Sequence, residues 1–232
     1  MNEPTLGVIL SGAGHLDGSD IHESVLVLLS LAQLGVRSVV YAPDLKFVEV
    51  DHATGETLGA ERSVLREAAR LARGPVVDLA RAHGTDHEGW ILPGGGGAAK
   101  TLSDFATRGS AVVAAREVNR VLREAFAARI PVGACGIAAV VVAAVARASS
   151  RRLRLTLGED VELGRLLEGM GHASIPVGVE DVVLDGERKV ATTPAGMSDA
   201  SLDTVALGIH RLVKHVADWS REEISAPRNA PR

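Results

Sequence analysis

Pro131-Val132-Gly133-Ala134-Cys135-Gly136-Ile137-Ala138-Ala139 joins two kinds of apolar sequence. Ile130 to Ala134 has the length of a buried strand, and the Ala-, Val- and Ile-rich run from Gly136 to Ala146 that of a buried helix. Cys135, the only cysteine of the chain, therefore falls where a strand turns into a helix. The first N–H groups of a helix lack intrahelical partners and mark the positive end of its dipole, so a thiolate there is favoured and its pKa falls. Gly133 and Gly136 flank the cysteine, as a sharp turn with unusual backbone angles requires. The pattern is that of a nucleophile elbow with sulfur in place of oxygen. A second reading stands beside it: an isolated cysteine is commonly a small buried core residue.

The rest of the composition agrees with a helix-covered sheet. The 232 residues suffice for one large domain, and 46% of them are apolar but only 3% aromatic. Such a core is built from Val, Leu, Ile and Ala, the mix of a parallel sheet buried on both faces. A net charge of −4 gives no reason to expect nucleic-acid binding. One cysteine excludes an intrachain disulfide framework and a cysteine-cluster zinc site. With no signal-peptide pattern at the start and no run long enough to span a membrane, a soluble cytoplasmic protein is expected.

Leu6 to Leu10 reads as a strand running into Ser11-Gly12-Ala13-Gly14. This glycine pattern loosely resembles a dinucleotide fingerprint, but Asp17 stands where the third glycine belongs, so no NAD or FAD is expected. Asp17, Ser19 and Asp20 are N-cap candidates for a helix from Ile21 to Leu34, stopped by Gly35. His22 and Glu23 lie in its first turn. Glu23 either complements the helix dipole or projects from the carboxyl edge of the first strand, where open α/β sheets bind ligands.

Ser38 to Ala42 is the second strand, Asp51 to Gly55 a turn, and Glu61 to Arg73 an amphipathic helix whose Arg and Glu residues fit a solvated face better than an anion site. The strand Trp90-Ile91-Leu92-Pro93 runs into Gly94-Gly95-Gly96-Gly97. Consecutive glycines cost conformational entropy and serve where backbone N–H groups must approach another group closely. A phosphate cradle or half of an oxyanion hole would both use them; a Walker loop is excluded, because no Gly-Lys-Ser/Thr follows. Helices are further expected over Val112 to Ala128, Val161 to Met170, and from Ser198 to about Trp219. Two strands should flank Asp185-Gly186-Glu187-Arg188, and residues 221–232 should form a polar tail behind a domain of residues 1–220. Strands alternating with helices indicate a mainly parallel sheet with right-handed crossovers.

Several blocks, in order, resemble one known family: Gly7-Val8-Ile9-Leu10-Ser11-Gly12, Asp17 to Glu23, Ala42-Pro43-Asp44, His52-Ala53-Thr54-Gly55-Glu56, Leu92-Pro93-Gly94-Gly95, Ala98-Ala99-Lys100, Cys135 with Ile137-Ala138, and Thr192-Thr193-Pro194-Ala195. They are similar to the ElbB-like isoprenoid-biosynthesis glyoxalases, also called enhancing lycopene biosynthesis proteins, within the PfpI and class I glutamine amidotransferase-like superfamily. The resemblance spans Leu6 to about Val216. It implies a flavodoxin-like three-layer α/β sandwich, often a homodimer, with Cys135 as an elbow nucleophile and Glu23 approaching its sulfur. It also implies a weak glyoxalase activity without cofactor or metal. Gly95 and Gly136 are then the natural oxyanion donors. His15, His22, Gly94 and Thr193 are candidate pocket residues, His15 also a candidate base.

The implied reaction takes a small 2-oxoaldehyde to a 2-hydroxy acid. The Cys135 thiolate adds to the aldehyde carbon to give a hemithioacetal, and a proton moves from C1 to C2 through an enediol with Glu23 as carrier. Water then hydrolyses the thioester. Gly136 stands where peptidase-like members carry histidine, and the late loop reads Thr193-Pro194 where amidotransferases carry a histidine and an acid. Neither proteolysis nor glutamine hydrolysis is therefore expected. The rival expectation is a non-catalytic protein, either a redox sensor at Cys135 or a partner-binding relative of the amidotransferases.

Overall fold

The computed structural model describes residues 3–225. From the N-terminus these form β1 (Thr5–Ile9), α1 (Ile21–Gln33), β2 (Arg37–Ala42), β3 (Lys46–Val50), β4 (Thr57–Ser63), α2 (Val64–Ala72), β5 (Val77–Asp78), β6 (Gly89–Leu92) and α3 (Gly96–Lys100). There follow α4 (Phe105–Arg108), α5 (Arg116–Ala127), β7 (Val132–Cys135), α6 (Ala138–Ala148), β8 (Arg154–Leu155) and α7 (Val161–Gly169). The chain continues with β9 (Ala173–Ser174), β10 (Val183–Asp185), β11 (Val190–Thr193) and α8 (Leu202–Ser225).

Seven strands make the central sheet in the order β10-β11-β7-β6-β1-β2-β5, all parallel except β10. Side chains alternate across β7, and two cores result. Val132 and Ala134 pack with α5, α6 and Leu167 of α7, whereas Cys135 packs on the opposite face with α1, α2 and α8. Helix α6 is apolar all round because Ala138 to Ala146 are buried without exception. The expected α/β sandwich with a mainly parallel sheet is thus the observed one.

Three boundaries differ from expectation, each for a local reason. Glu61 to Ser63 belong to β4, because their backbone pairs with Lys46 to Val48, and Ser63 caps α2 by accepting from Arg66 N–H at 3.4 Å. The helix expected from Val112 starts at Arg116: Val113 N–H is drawn to Asp104 Oδ1, and Ala114 bridges Ser103. Helix α8 continues to Ser225, into the stretch expected as a loose tail; residues 226–232 lie outside the described chain. Arg221 anchors that extension with 2.8 Å from Nη2 to the Leu34 carbonyl.

Gly7, inside β1, is required by packing. A Cβ there would come 2.3 Å from Cε3 and Cζ3 of the Trp90 ring, which is fully buried and has no room to retreat. Gly7→Ala should therefore cost about 1–3 kcal/mol through overpacking. The check is a lower urea midpoint at an unchanged m-value; an unaltered midpoint would mean that Trp90 can shift freely.

Candidate functional site

The carboxyl edge of the sheet is organised by the first turn of α1. Asp20 caps the helix, its Oδ1 accepting from Glu23 N–H at 3.0 Å, while its own N–H donates to the Gly94 carbonyl at 2.9 Å. Asp20 Oδ2 meets Nδ1 of His15 at 2.8 Å. The cap thus ties α1 to both the loop after β1 and the glycine loop after β6.

Glu23, three residues past the cap, turns inward and is 3% exposed. Gly94 N–H donates to its Oε2 at 2.7 Å, and Gly196 N–H to its Oε1 at 3.0 Å. Glycine is needed on three sides of this carboxyl. A Cβ on Gly94 would lie 2.8 Å from Oε2, and Cβ atoms on Gly136 and Gly196 would each lie 3.0 Å from Oε1. Burial pushes the Glu23 pKa from its ordinary value of 4.5 to about 7, with the Asp20 charge adding to the rise. The N–H donors of Gly94 and Gly196 and the nearby His15 pull the other way. The side chain is thus turned into the molecule and tied to two loops, and is not left at the helix surface as a plain dipole complement.

Cys135 departs from the expected elbow. It is the last residue of β7, paired in register with Thr193, and its fully buried side chain packs in the core beneath α1 and α8. The left-handed residue of this turn is Gly136, with φ 50°. The side chain that the turn would present to Glu23 is therefore the one that Gly136 lacks. The expectation of a depressed thiol pKa is also overturned. Burial pushes the Cys135 thiol well above its ordinary value, and the acidic groups nearby, Glu23 and then Asp20, push it further.

The two proposed oxyanion donors also part company. Gly136 N–H is spent on the Thr193 carbonyl at 2.9 Å, continuing the sheet by one bond, and is not free for a ligand. Gly95 N–H meets no acceptor among the described residues; with φ 98° and a would-be Cβ 2.3 Å from Asp20 N, this position admits glycine alone.

The candidate pocket residues spread out. His15 is held by Asp20 with its side chain 62% exposed, and His22 lies on the exposed side of α1. Thr193 is buried, its hydroxyl donating to the Asp181 carbonyl at 2.8 Å, so its role is to fix the late loop. Gly94 does reach the site, through the N–H that binds Glu23. Gly196 and Asp20 also belong to the constellation, and only Gly196 was missed in the sequence. Asp20 was legible as a cap, whereas Gly196 bonds across 173 residues of chain and carried no local signal.

No family model matches the chain. It is 37% identical over 224 residues to the ES1 protein homolog, mitochondrial, of Rattus norvegicus, with 92% of this chain and 83% of that protein covered. It is 36% identical over 224 residues to the human glutamine amidotransferase-like class 1 domain-containing protein 3, mitochondrial, covering 92% and 82%. This chain belongs to the ES1, or glutamine amidotransferase-like class 1 domain, family. An ElbB-like relationship is equally plain in structure. An Ehrlichia chaffeensis isoprenoid biosynthesis protein with amidotransferase-like domain superposes with a TM-score of 0.87 at 31% identity, over 93% of this chain and 98% of that one. Drosophila melanogaster DJ-1beta, at 16% identity and a TM-score of 0.56 over 97% and 100% of the two chains, shares the fold alone. Both ES1-family relatives are named as mitochondrial, which gives the cytoplasmic expectation no support. Among the described residues no helix is long and apolar enough to cross a membrane.

The raised Glu23 pKa has a consequence for stability. In the folded chain this carboxyl holds its proton up to about pH 7, against an ordinary value of 4.5. The folded state thus binds more protons than the unfolded one between those values. The associated stability is complete below pH 4.5 and is lost as pH rises through 7. Relative to Glu23→Gln, the wild type should lose up to about 3 kcal/mol between pH 4 and pH 8. Paired urea titrations across that range measure the difference; a flat one would mean that the carboxyl titrates as if solvated.

Proposed function

We propose that this chain is a non-catalytic, partner- or ligand-binding member of its family, in which the Cys135 thiol performs neither glyoxalase nor redox chemistry. One observation carries the reading: the left-handed position facing Glu23 is Gly136, and the sole thiol lies one residue earlier with no exposed surface. A hemithioacetal needs a thiolate that can reach an aldehyde carbon. Burial and two acidic neighbours hold Cys135 in the thiol form, and its surroundings are the side chains of a packed core. The same burial argues against sulfenic acid formation, which follows thiolate character and access. With Gly136 N–H bonded to Thr193, only Gly95 remains to receive an oxyanion. Glu23, bonded to two loops, then acts as the latch that shapes the carboxyl edge.

The test uses methylglyoxal without glutathione or added metal, followed by proton NMR for lactate. The wild type should form none above the buffer rate, and Cys135→Ser should behave identically. Lactate formation that Cys135→Ser abolishes would restore the thiol mechanism and sink the proposal. A companion experiment moves the sulfur. Native wild type should resist iodoacetamide, whereas the double variant Cys135→Ser/Gly136→Cys, whose one thiol faces Glu23, should be alkylated. Rapid alkylation of the native wild type would show that Cys135 is accessible after all.

A further inference from the structure

A groove of about 490 Å³ runs between α1 and α2, on the side of α1 facing away from Glu23, and reaches Ala13 and Gly14 of the loop after β1; neither Glu23 nor Cys135 lines it. Its volume is within the range of small-molecule sites. One wall is apolar: Ile21 and Val25, one helical turn apart, are 50% and 47% exposed, and Ala13 and Leu71 extend the surface. Large aliphatic side chains left half open in a concave surface are unpartnered, unlike apolar residues scattered singly.

The opposite wall is basic. Arg62, Arg70 and Arg73 line it, with Glu67 the one acid among the lining residues. Arg62 already pairs with Glu49 and Glu67, at 3.2 Å each, and Arg70 stands 3.9 Å from the same Glu67. Arg73, at the left-handed C-cap of α2, meets no acid within ion-pair distance among the described residues. Three guanidinium groups thus face two carboxylates, and the surplus positive charge lies at the α2 end of the groove. His52 contributes no second anion site as it stands. Its Nε2 accepts from Leu16 N–H at 3.1 Å and its Nδ1 donates to the Val50 carbonyl at 2.9 Å, so the ring closes the groove near Gly14.

We propose that the α1–α2 groove binds a small amphiphilic carboxylate, its hydrocarbon chain on Ile21, Val25 and Leu71 and its head group at Arg70 and Arg73. The pairing of an apolar wall with an unbalanced basic rim is what selects this class over a neutral lipid or an amine. An aliphatic chain gains by leaving water along the apolar wall. The head group gains from planar, permanently charged donors that match a carboxylate in geometry. The site does not depend on whether the carboxyl edge is catalytic, because none of its residues touches Glu23 or Cys135 through a described hydrogen bond.

Octanoate is the probe, with octan-1-ol and octylammonium as controls, titrated into the full chain by calorimetry and by amide chemical-shift mapping. Saturable octanoate binding is expected, with shifts on α1 and α2 and weaker binding of both controls. Arg70→Gln/Arg73→Gln should weaken octanoate about fivefold, the scale of two exposed charge contacts, and leave octanol unchanged. Val25→Asp should abolish binding; if that variant does not fold, the arginine variant and the octylammonium control decide alone. The proposal is overturned by absence of saturable binding, by equal affinity for octylammonium, or by shifts elsewhere in the fold. Sedimentation supplies one more contrary outcome: a wild-type dimer that Val25→Asp dissociates would make a second copy of the chain the occupant of the groove.

Discussion

A single buried carboxyl holds the carboxyl edge of this protein together. Glu23 takes one N–H from the loop after β6 and another from the loop after β11, so three segments far apart in sequence meet on two oxygens. Hydrogen bonds to a charged acceptor contribute about 1.5–3 kcal/mol each, yet burying the charge works against them. The rise of the Glu23 pKa to about 7 records that conflict: near neutrality the group is close to half protonated, held in place by its donors although its charge is unfavourable. Side chains on Gly94, Gly136 or Gly196 would crowd it, which explains why the carboxyl is walled by backbone.

The turn after β7 shows how a backbone constraint decides which position faces Glu23. Backbone direction there demands a left-handed residue, and glycine meets that demand at the lowest steric cost. Placing glycine at this point removes the only side chain the turn could aim at Glu23. The neighbouring cysteine then obeys the alternation of β7 and enters the core with Ile91 and Ile209. The ES1-family architecture survives intact, because the sheet order and both cores need only the apolar pattern of the strand.

Helix α1 presents two unlike faces. Its inner face carries Glu23 and Val27 into the molecule, and its outer face leaves Ile21, Val25 and Leu29 in a row four residues apart. An amphipathic helix would place polar residues along that outer row. The basic residues of α2 and β4 stand across the groove instead of along the helix, so charge and apolar surface are combined between elements and not within one.

Much of the architecture was determined by sequence alone. Short apolar runs ending in glycine, followed by helical periods and caps such as Asp20, are local signals, and local sterics and burial act on them directly. The glycine loop was legible for the same reason, since residue type and position at a strand end carry the information, whereas Glu23 was legible only as a first-turn acid with two readings open, and the family resemblance brought it toward Cys135. The spacing of Cys135 misled because a one-residue shift at a strand end moves a side chain to the other face, and nothing within the stretch states which residue turns left-handed. Gly196 as a donor to Glu23, Gly136 N–H as a sheet bond to Thr193, and the basic wall facing Ile21 and Val25 were decided only by tertiary structure. Each arises from contacts between segments dozens to more than a hundred residues apart, whose mutual placement is fixed by packing of the two cores and not by any pattern along the chain.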